Sequence, residues 1–251
     1  MTAFSPFIRK TSPDMRKALA EHLRVLMPED VDWSDPGLKF AKLMAAAIDA
    51  GQADGNEHAV GALERITSLT NELGDLAMAS CWPDGADEPE LGGVEDRAVW
   101  LFINHSECFR RAEEAVFIDG RRRSNRFDGH VLSSDLTVLT SDECKAAFSS
   151  ALRGALSDGK IQVDIFERTR RGFDGAEYHV VQVTIYAEQR LEATLEFQGA
   201  KIASVPRRPV VAAALTYEPL TGTVEVAANT KPARDTIVRA FAQNLVDVDL
   251  H

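Results

Sequence analysis

The sequence predicts an α+β fold, with an N-terminal helical region followed by a six-stranded antiparallel meander flanked by helices. In the first half, apolar residues recur at spacings of three and four, which is typical of amphipathic helices. From about residue 160, short runs alternate apolar with polar residues between tight turns, which is typical of antiparallel strands. The chain has 251 residues, 45% of them hydrophobic, so it is long enough to bury a substantial core.

Charge divides the chain into two parts. Residues 1–96 carry eight basic and eighteen acidic side chains, a net charge of -10, whereas residues 97–251 carry twenty and twenty-one, a net charge of -1. The change coincides with "CWPDGADEPELGG", which is rich in Pro, Gly and acidic residues and lacks apolar periodicity. The expected organisation is an acidic helical region over 1–80, a linker over 81–93 and an α+β domain over 94–251.

Three helices are expected before the linker. Ser12 as N-cap and Pro13 at the first helical position begin a helix of about 13–27. The same pattern predicts a second helix from Asp35-Pro36 to Gly51. A third, of about 56–79, has an apolar seam too short for a coiled coil, which favours packing inside a helical bundle over dimerisation.

After the linker, a helix of about 94–118 should end at Asp119-Gly120. One or two short strands in "HVLSSDLTVLT" follow, and then a helix of about 142–157 with Thr140 or Ser141 as its N-cap. The six strands of the meander are "KIQVDIFERTR", "YHVVQVTIYAE", "LEATLEF", "AKIASV", "PVVAAALTY" and "TVEVAAN". A last helix of about 232–245 begins after Thr230. The two helices beside the strands should cover one face of the sheet in a two-layer sandwich, and a curved sheet that encloses a ligand cavity is the alternative.

The stretch "IDGRRRSNRFDGH" concentrates positive charge in an acidic protein whose formal net charge is -11. Guanidinium groups offer planar sets of donors that suit phosphate or carboxylate, and an aromatic ring nearby can stack on a base. The candidate binding residues are Arg110, Arg111, Arg121, Arg122, Arg123, Arg126 and Phe127.

Three kinds of binding partner would suit these arginines. The first is intramolecular, the acidic helical region of the same chain. The second is nucleic acid or another phosphate ligand, which the overall negative charge would repel. The third is an acidic protein surface or a second copy of the chain. We call residues 121–126 the arginine loop. If this loop lies on the same face as the basic residues of "ERTRRGFDG" and "VPRRP", the phosphate ligand is favoured.

Recognised catalytic motifs are absent. The chain has no Gly-rich loop ending in Gly-Lys-Ser/Thr, no Gly-x-Ser-x-Gly, no His-Glu-x-x-His and no Cys-x-x-Cys. His105 and Cys108 share a helix face, but a zinc site needs further ligands at a recognised spacing, so a structural role is favoured. Asp164 and Glu167 on the first strand of the meander are interpreted as solvated carboxylates. No cofactor and no metal site are predicted.

The functional expectation is a non-enzymatic cytoplasmic binding or assembly protein that uses the arginine loop as its contact surface. The alternative is a hydrolase or nuclease acting on a phosphate-containing substrate, with Asp128 or His130 in a catalytic role. No apolar run approaches the roughly 20 residues that a bilayer requires, so no membrane partner is expected. The cysteines are interpreted as reduced thiols because their number and spacing do not fit a disulfide scaffold.

Overall fold

The structure is a computed structural model, and it describes residues 5–35, 53–85, 91–122, 124, 126–171, 175–189, 192–198, 201–207 and 209–247. Within these ranges the chain forms eight helices and nine strands, which confirms the α+β class and the antiparallel sheet. The chain divides into two compact units, Met1–Val116 and Phe117–His251. The helix expected to end at Gly51 lies outside the described residues, and so does the middle of the expected linker over 81–93.

The first compact unit is helical. Its central helix contacts three of the others and buries Ala98, Val99 and Leu101 against them. The helices are α1 Ser5–Lys10, α2 Pro13–His22, α3 Ala53–Ser68, α4 Glu72–Ser80, the central α5 Val94–Asn104, and α6 Ser106–Asp119, which continues into the second unit. None of the described helices is both long and apolar enough to cross a bilayer.

Helix α2 ends at His22, earlier than the periodicity predicts, because the backbone turns there. Arg24 adopts a left-handed conformation with φ of 54°. Its N–H donates to the Glu21 carbonyl at 3.1 Å, and the Val25 N–H donates to the Ala20 carbonyl at 2.9 Å. These two bonds satisfy carbonyls at the helix end and redirect the chain.

Two helices predicted as continuous are each interrupted. The segment of about 56–79 breaks after Ser68, where the side chain of Asn71 accepts the Gly74 N–H at 3.0 Å and caps α4. The segment of about 94–118 breaks at His105, whose φ of -138° and ψ of 63° lie outside the helical region. In both segments the apolar spacing continues across the break, so periodicity alone does not reveal it.

The second compact unit is built on a five-stranded antiparallel sheet in the order β1-β8-β7-β4-β3. Six consecutive strands, β3 to β8, form where the sequence predicts them, but they do not make one meander. β4 pairs with β7, and β5 and β6 pair with each other in a separate hairpin. The strands are β1 Phe127–Val131, β2 Thr137–Val138, β3 Ile161–Arg171, β4 Glu177–Glu188, β5 Glu192–Gln198, β6 Lys201–Arg207, β7 Val210–Glu218, β8 Thr223–Ala227 and β9 Val246–Asp247.

Burial accounts for the pairing of β4 with β7. Val183 and Ile185 of β4 lie opposite Leu215 and Ala213 of β7, and all four side chains are buried in one core. Because β3 occupies the other side of β4, no edge of β4 remains for β5. The sheet is open, and β1 and β3 are its edge strands.

One face of the sheet is covered by α7 (Asp142–Ala151) and α8 (Lys231–Asn244). Ser141 and Thr230 cap these helices through their side chains, as their sequences predict. The apolar core between sheet and helices includes Phe148, Phe241 and Tyr217. The two-layer arrangement therefore places β1 beside α8 at one edge of the sheet.

Tyr217 links this core to the segment after β1. Its hydroxyl accepts the Leu136 N–H at 3.0 Å and donates to the Ser133 carbonyl at 2.9 Å. We predict that Tyr217→Phe lowers the free energy of unfolding by about 1–3 kcal/mol in urea denaturation, because two backbone groups lose their partner. Val131 is exposed, so the control Val131→Ala should change the free energy of unfolding by less than about 0.5 kcal/mol. Equal effects of the two substitutions would contradict this role of the hydroxyl.

Candidate functional site

The arginine loop is anchored to the sheet through Arg122. Its Nε and Nη2 donate to Oε1 of Glu225 at 3.1 and 2.7 Å. The other carboxylate oxygen of Glu225 pairs with Nη1 of Arg170. Glu225 lies on β8 between the buried residues Val224 and Val226, whose side chains face the opposite way, towards α8. Arg122 is therefore held on the sheet face that α7 and α8 do not cover.

That second face of the sheet is polar and buried. We call it the polar face, and its buried charged and polar side chains are Arg168, Arg170, Gln182, Thr184, Thr216, Glu218 and Glu225. Arg168 donates to Gln182 at 2.7 Å and to Asp119 at 2.9 Å. Arg170 pairs with Glu225, and its Nη2 lies 3.8 Å from Glu218.

The arginines of β3 thus converge with Arg122 on one face, but carboxylates are interleaved with them. Arg122, Arg168 and Arg170 face Asp119, Glu218 and Glu225, so the positive charges are offset within the chain. A phosphate ligand would have to displace these carboxylates, of which Glu218 and Glu225 are buried. Only part of the convergence that would favour a phosphate ligand is seen, and the arginines that take part in it already face carboxylates. Arg208, and the side chain of Arg207, lie outside the described residues.

The remaining loop residues differ in exposure. The guanidinium carbon of Arg121 lies 4.1 Å from the ring centroid of Phe117, and burial and the nearby Arg126 lower the pKa of Arg121. Arg126 is exposed, whereas Phe127 is half-buried against the small cluster around Ile118. Arg123 lies outside the described residues.

Arg110 and Arg111 belong to the first compact unit and pair along α6. Arg110 contacts Glu107 at 2.8 Å and also Glu114, and Arg111 lies 3.4 Å from Glu107. These are pairs between neighbouring turns of one helix, which stabilise a helix modestly. They account for both guanidinium groups without a partner from another molecule.

Strand β1 follows the loop and presents an open edge. The Arg126 carbonyl accepts the Ala228 N–H at 3.2 Å, and the Leu132 N–H donates to the Gly222 carbonyl at 2.8 Å. Because antiparallel bonding alternates, the N–H and C=O groups of Phe127, Gly129 and Val131 point away from β8. No other described strand pairs with that side of β1.

Three ionisable side chains meet between β1 and α8. Asp128 and His130 alternate on β1 and lie on the helix-covered face, where Asp235 of α8 joins them. One potential ligand atom from each side chain lies within 4.8 Å of the other two. Nε of Arg234 donates to Oδ2 of Asp128 at 2.5 Å. Nε2 of His130 is buried and has no hydrogen-bond partner among the described residues.

Asp235 has no signal in the sequence that connects it with Asp128 and His130. Its position depends on how α8 packs on the sheet, and the three residues have no motif spacing in common.

His105 and Cys108, the other candidate metal ligands, lie in the first compact unit. His105 interrupts the helix, and its ring centroid lies 4.7 Å from that of Trp100. Burial raises the pKa of the Cys108 thiol. A raised thiol pKa disfavours the thiolate that zinc would require.

No family model, no curated protein and no solved structure matches this chain. We therefore infer the function from the geometry of the described residues.

Two arginines of the loop differ in how much they should contribute to the stability of the fold. We predict that Arg122→Ala lowers the free energy of unfolding by about 1–3 kcal/mol, because it removes two charge-assisted hydrogen bonds to Glu225. The matched control Arg126→Ala, at an exposed position, should change it by less than about 0.5 kcal/mol. Chemical denaturation of both variants measures the difference. Loss of stability in the Arg126 variant and not in the Arg122 variant would contradict the structural role of Arg122.

Proposed function

We propose that this protein is a non-enzymatic cytoplasmic binding or assembly protein whose contact surface is the outer edge of β1 together with Arg126. The observation that carries the proposal is the open edge of β1, where alternate backbone groups point away from the sheet. Unpaired strand edges bind extended segments by adding a strand. Arg126 lies at the start of that edge and its side chain is exposed.

The partner that fits this edge best is an extended acidic segment of another protein. Val131 on β1 and Leu220 in the turn after β7 are exposed by 77% and 78%, and offer apolar contacts. Arg126 offers a cation at the other end of the strand, which a carboxylate complements. Nucleic acid is disfavoured because the formal net charge is -11 and because Arg122, Arg168 and Arg170 already face carboxylates.

Gly129 provides a test of strand addition. We predict that Gly129→Pro weakens binding of a fluorescent peptide of alternating Glu and Val by about 5-fold in low-salt anisotropy measurements, because one outward N–H is lost. Gly129→Ala keeps that N–H, and its new Cβ meets no atom within 4 Å, so it serves as the matched control. Equal affinities of the two variants would contradict strand addition at β1.

Arg126 tests the charge preference with the same peptide. Arg126→Ala should raise the Kd about 3-fold and reduce its dependence on salt, because an exposed ion pair contributes little and is screened. Arg153→Ala, at another exposed position of the same unit, should leave the Kd unchanged. Concentration-dependent self-association that Gly129→Pro abolishes would identify a second copy of the chain as the partner.

The second candidate function is hydrolysis of a phosphate ester, which the meeting of Asp128, His130 and Asp235 favours. In this hypothesis His130 or Asp128 acts as the general base. We predict that His130→Ala lowers turnover of bis(p-nitrophenyl) phosphate by about 100-fold, whereas His179→Ala, on an exposed histidine, leaves it unchanged. Absence of turnover by the unaltered protein would reject this candidate.

A further inference from the structure

We propose that Asp128, His130 and Asp235 bind a divalent transition-metal ion, which no sequence motif indicates. The proposal concerns metal binding itself and holds whichever of the two functions is correct. Two carboxylates and one imidazole, taken from a strand and a helix that pack on each other, supply the ligands.

The positions of the three side chains suit a small ion. Their ligand atoms lie within 4.8 Å of one another. An ion with bonds of about 2.0–2.2 Å to nitrogen and oxygen brings its ligands to about 3–4 Å from each other, so rotamer adjustments within the cluster suffice. All three side chains are half-buried, and a site at the edge of the sheet remains accessible to an ion from solvent.

His130 supports the metal site independently of these distances. Its Nε2 atom is shielded from solvent and has no hydrogen-bond partner among the described residues. A buried ring nitrogen without a partner costs free energy in either tautomer of neutral imidazole. Coordination of an ion through Nε2 would give this nitrogen the partner that the described residues do not supply.

Arg234 holds the first carboxylate in place. It is 6% exposed, it donates to Oδ2 of Asp128, and its Nη1 donates to the Ala228 carbonyl at 3.0 Å. This arrangement leaves Oδ1 of Asp128 available to an ion. Residues that orient a ligand in this way are common around protein metal sites and raise the affinity for the metal. The guanidinium also offsets part of the repulsion between Asp128 and Asp235.

The donor set defines the class of ion. Imidazole favours Zn²⁺, Co²⁺ and neighbouring ions, carboxylates accept them, and none of the three donors is a thiol that would select a soft ion. Three protein ligands leave at least one coordination position for water, which distinguishes the site from a closed structural zinc site.

Titration of the full chain with Co²⁺, followed by calorimetry and visible absorption, tests the proposal. We expect one ion per chain, with ligand-field bands and without the thiolate charge-transfer band that cysteine ligands would give. His130→Ala removes a ligand and Asp235→Asn removes the charge of one, so each should weaken binding by at least about 10-fold. His179→Ala and Asp142→Asn, at exposed positions away from the cluster, should bind Co²⁺ as the unaltered chain does.

Several results would overturn the proposal. These are the absence of saturable binding, binding that survives both His130→Ala and Asp235→Asn, and a thiolate band that assigns the ion to cysteine. Circular dichroism and the thermal midpoint without metal show whether each variant folds. If His130→Ala does not fold, Asp235→Asn decides the outcome, because it keeps the shape of the side chain and removes the charge.

Discussion

Glu225 accepts hydrogen bonds from two arginines that come from different parts of the chain, Arg122 of the loop and Arg170 of β3. The carboxylate is buried, so its charge would cost free energy without these partners. This interaction fixes the loop to the sheet immediately before β1 begins. The exposed Arg126 and strand β1, with Asp128 and His130, come directly after this anchor in the chain.

The two faces of the sheet bury different kinds of side chain. The face towards α7 and α8 is apolar and is stabilised by removal of side chains such as Val183 and Leu215 from water. The polar face buries charges whose desolvation is offset by pairs such as Arg168 with Asp119. Because charged hydrogen bonds depend on geometry more than apolar contacts do, we expect the pair of Arg122 with Glu225 to hold the loop in one position on the polar face.

The sequence predicts local features well and long-range partners poorly. Apolar alternation locates β3 to β8, and the caps at Ser141 and Thr230 locate α7 and α8, because these signals act over a few residues. The pairing of β4 with β7 depends on which strands complete the core, and β5 and β6 carry a similar alternation. Asp235 joins the site only through the packing of α8. Arg122 resembles its neighbours in the sequence, and only the distant Glu225 distinguishes it from the exposed Arg126.

We infer that Arg122 and Glu225 stabilise the fold together, and we propose that the edge of β1 and Arg126 are left for contact with other molecules. A double-mutant cycle in chemical denaturation, with Arg122→Ala, Glu225→Gln and the double variant, measures their coupling directly. We expect a coupling free energy of about 1–3 kcal/mol that changes little between low and high salt, because the pair is largely shielded from solvent. A coupling near zero, or one that salt removes, would show instead that Arg122 is a solvated charge that does not stabilise the fold.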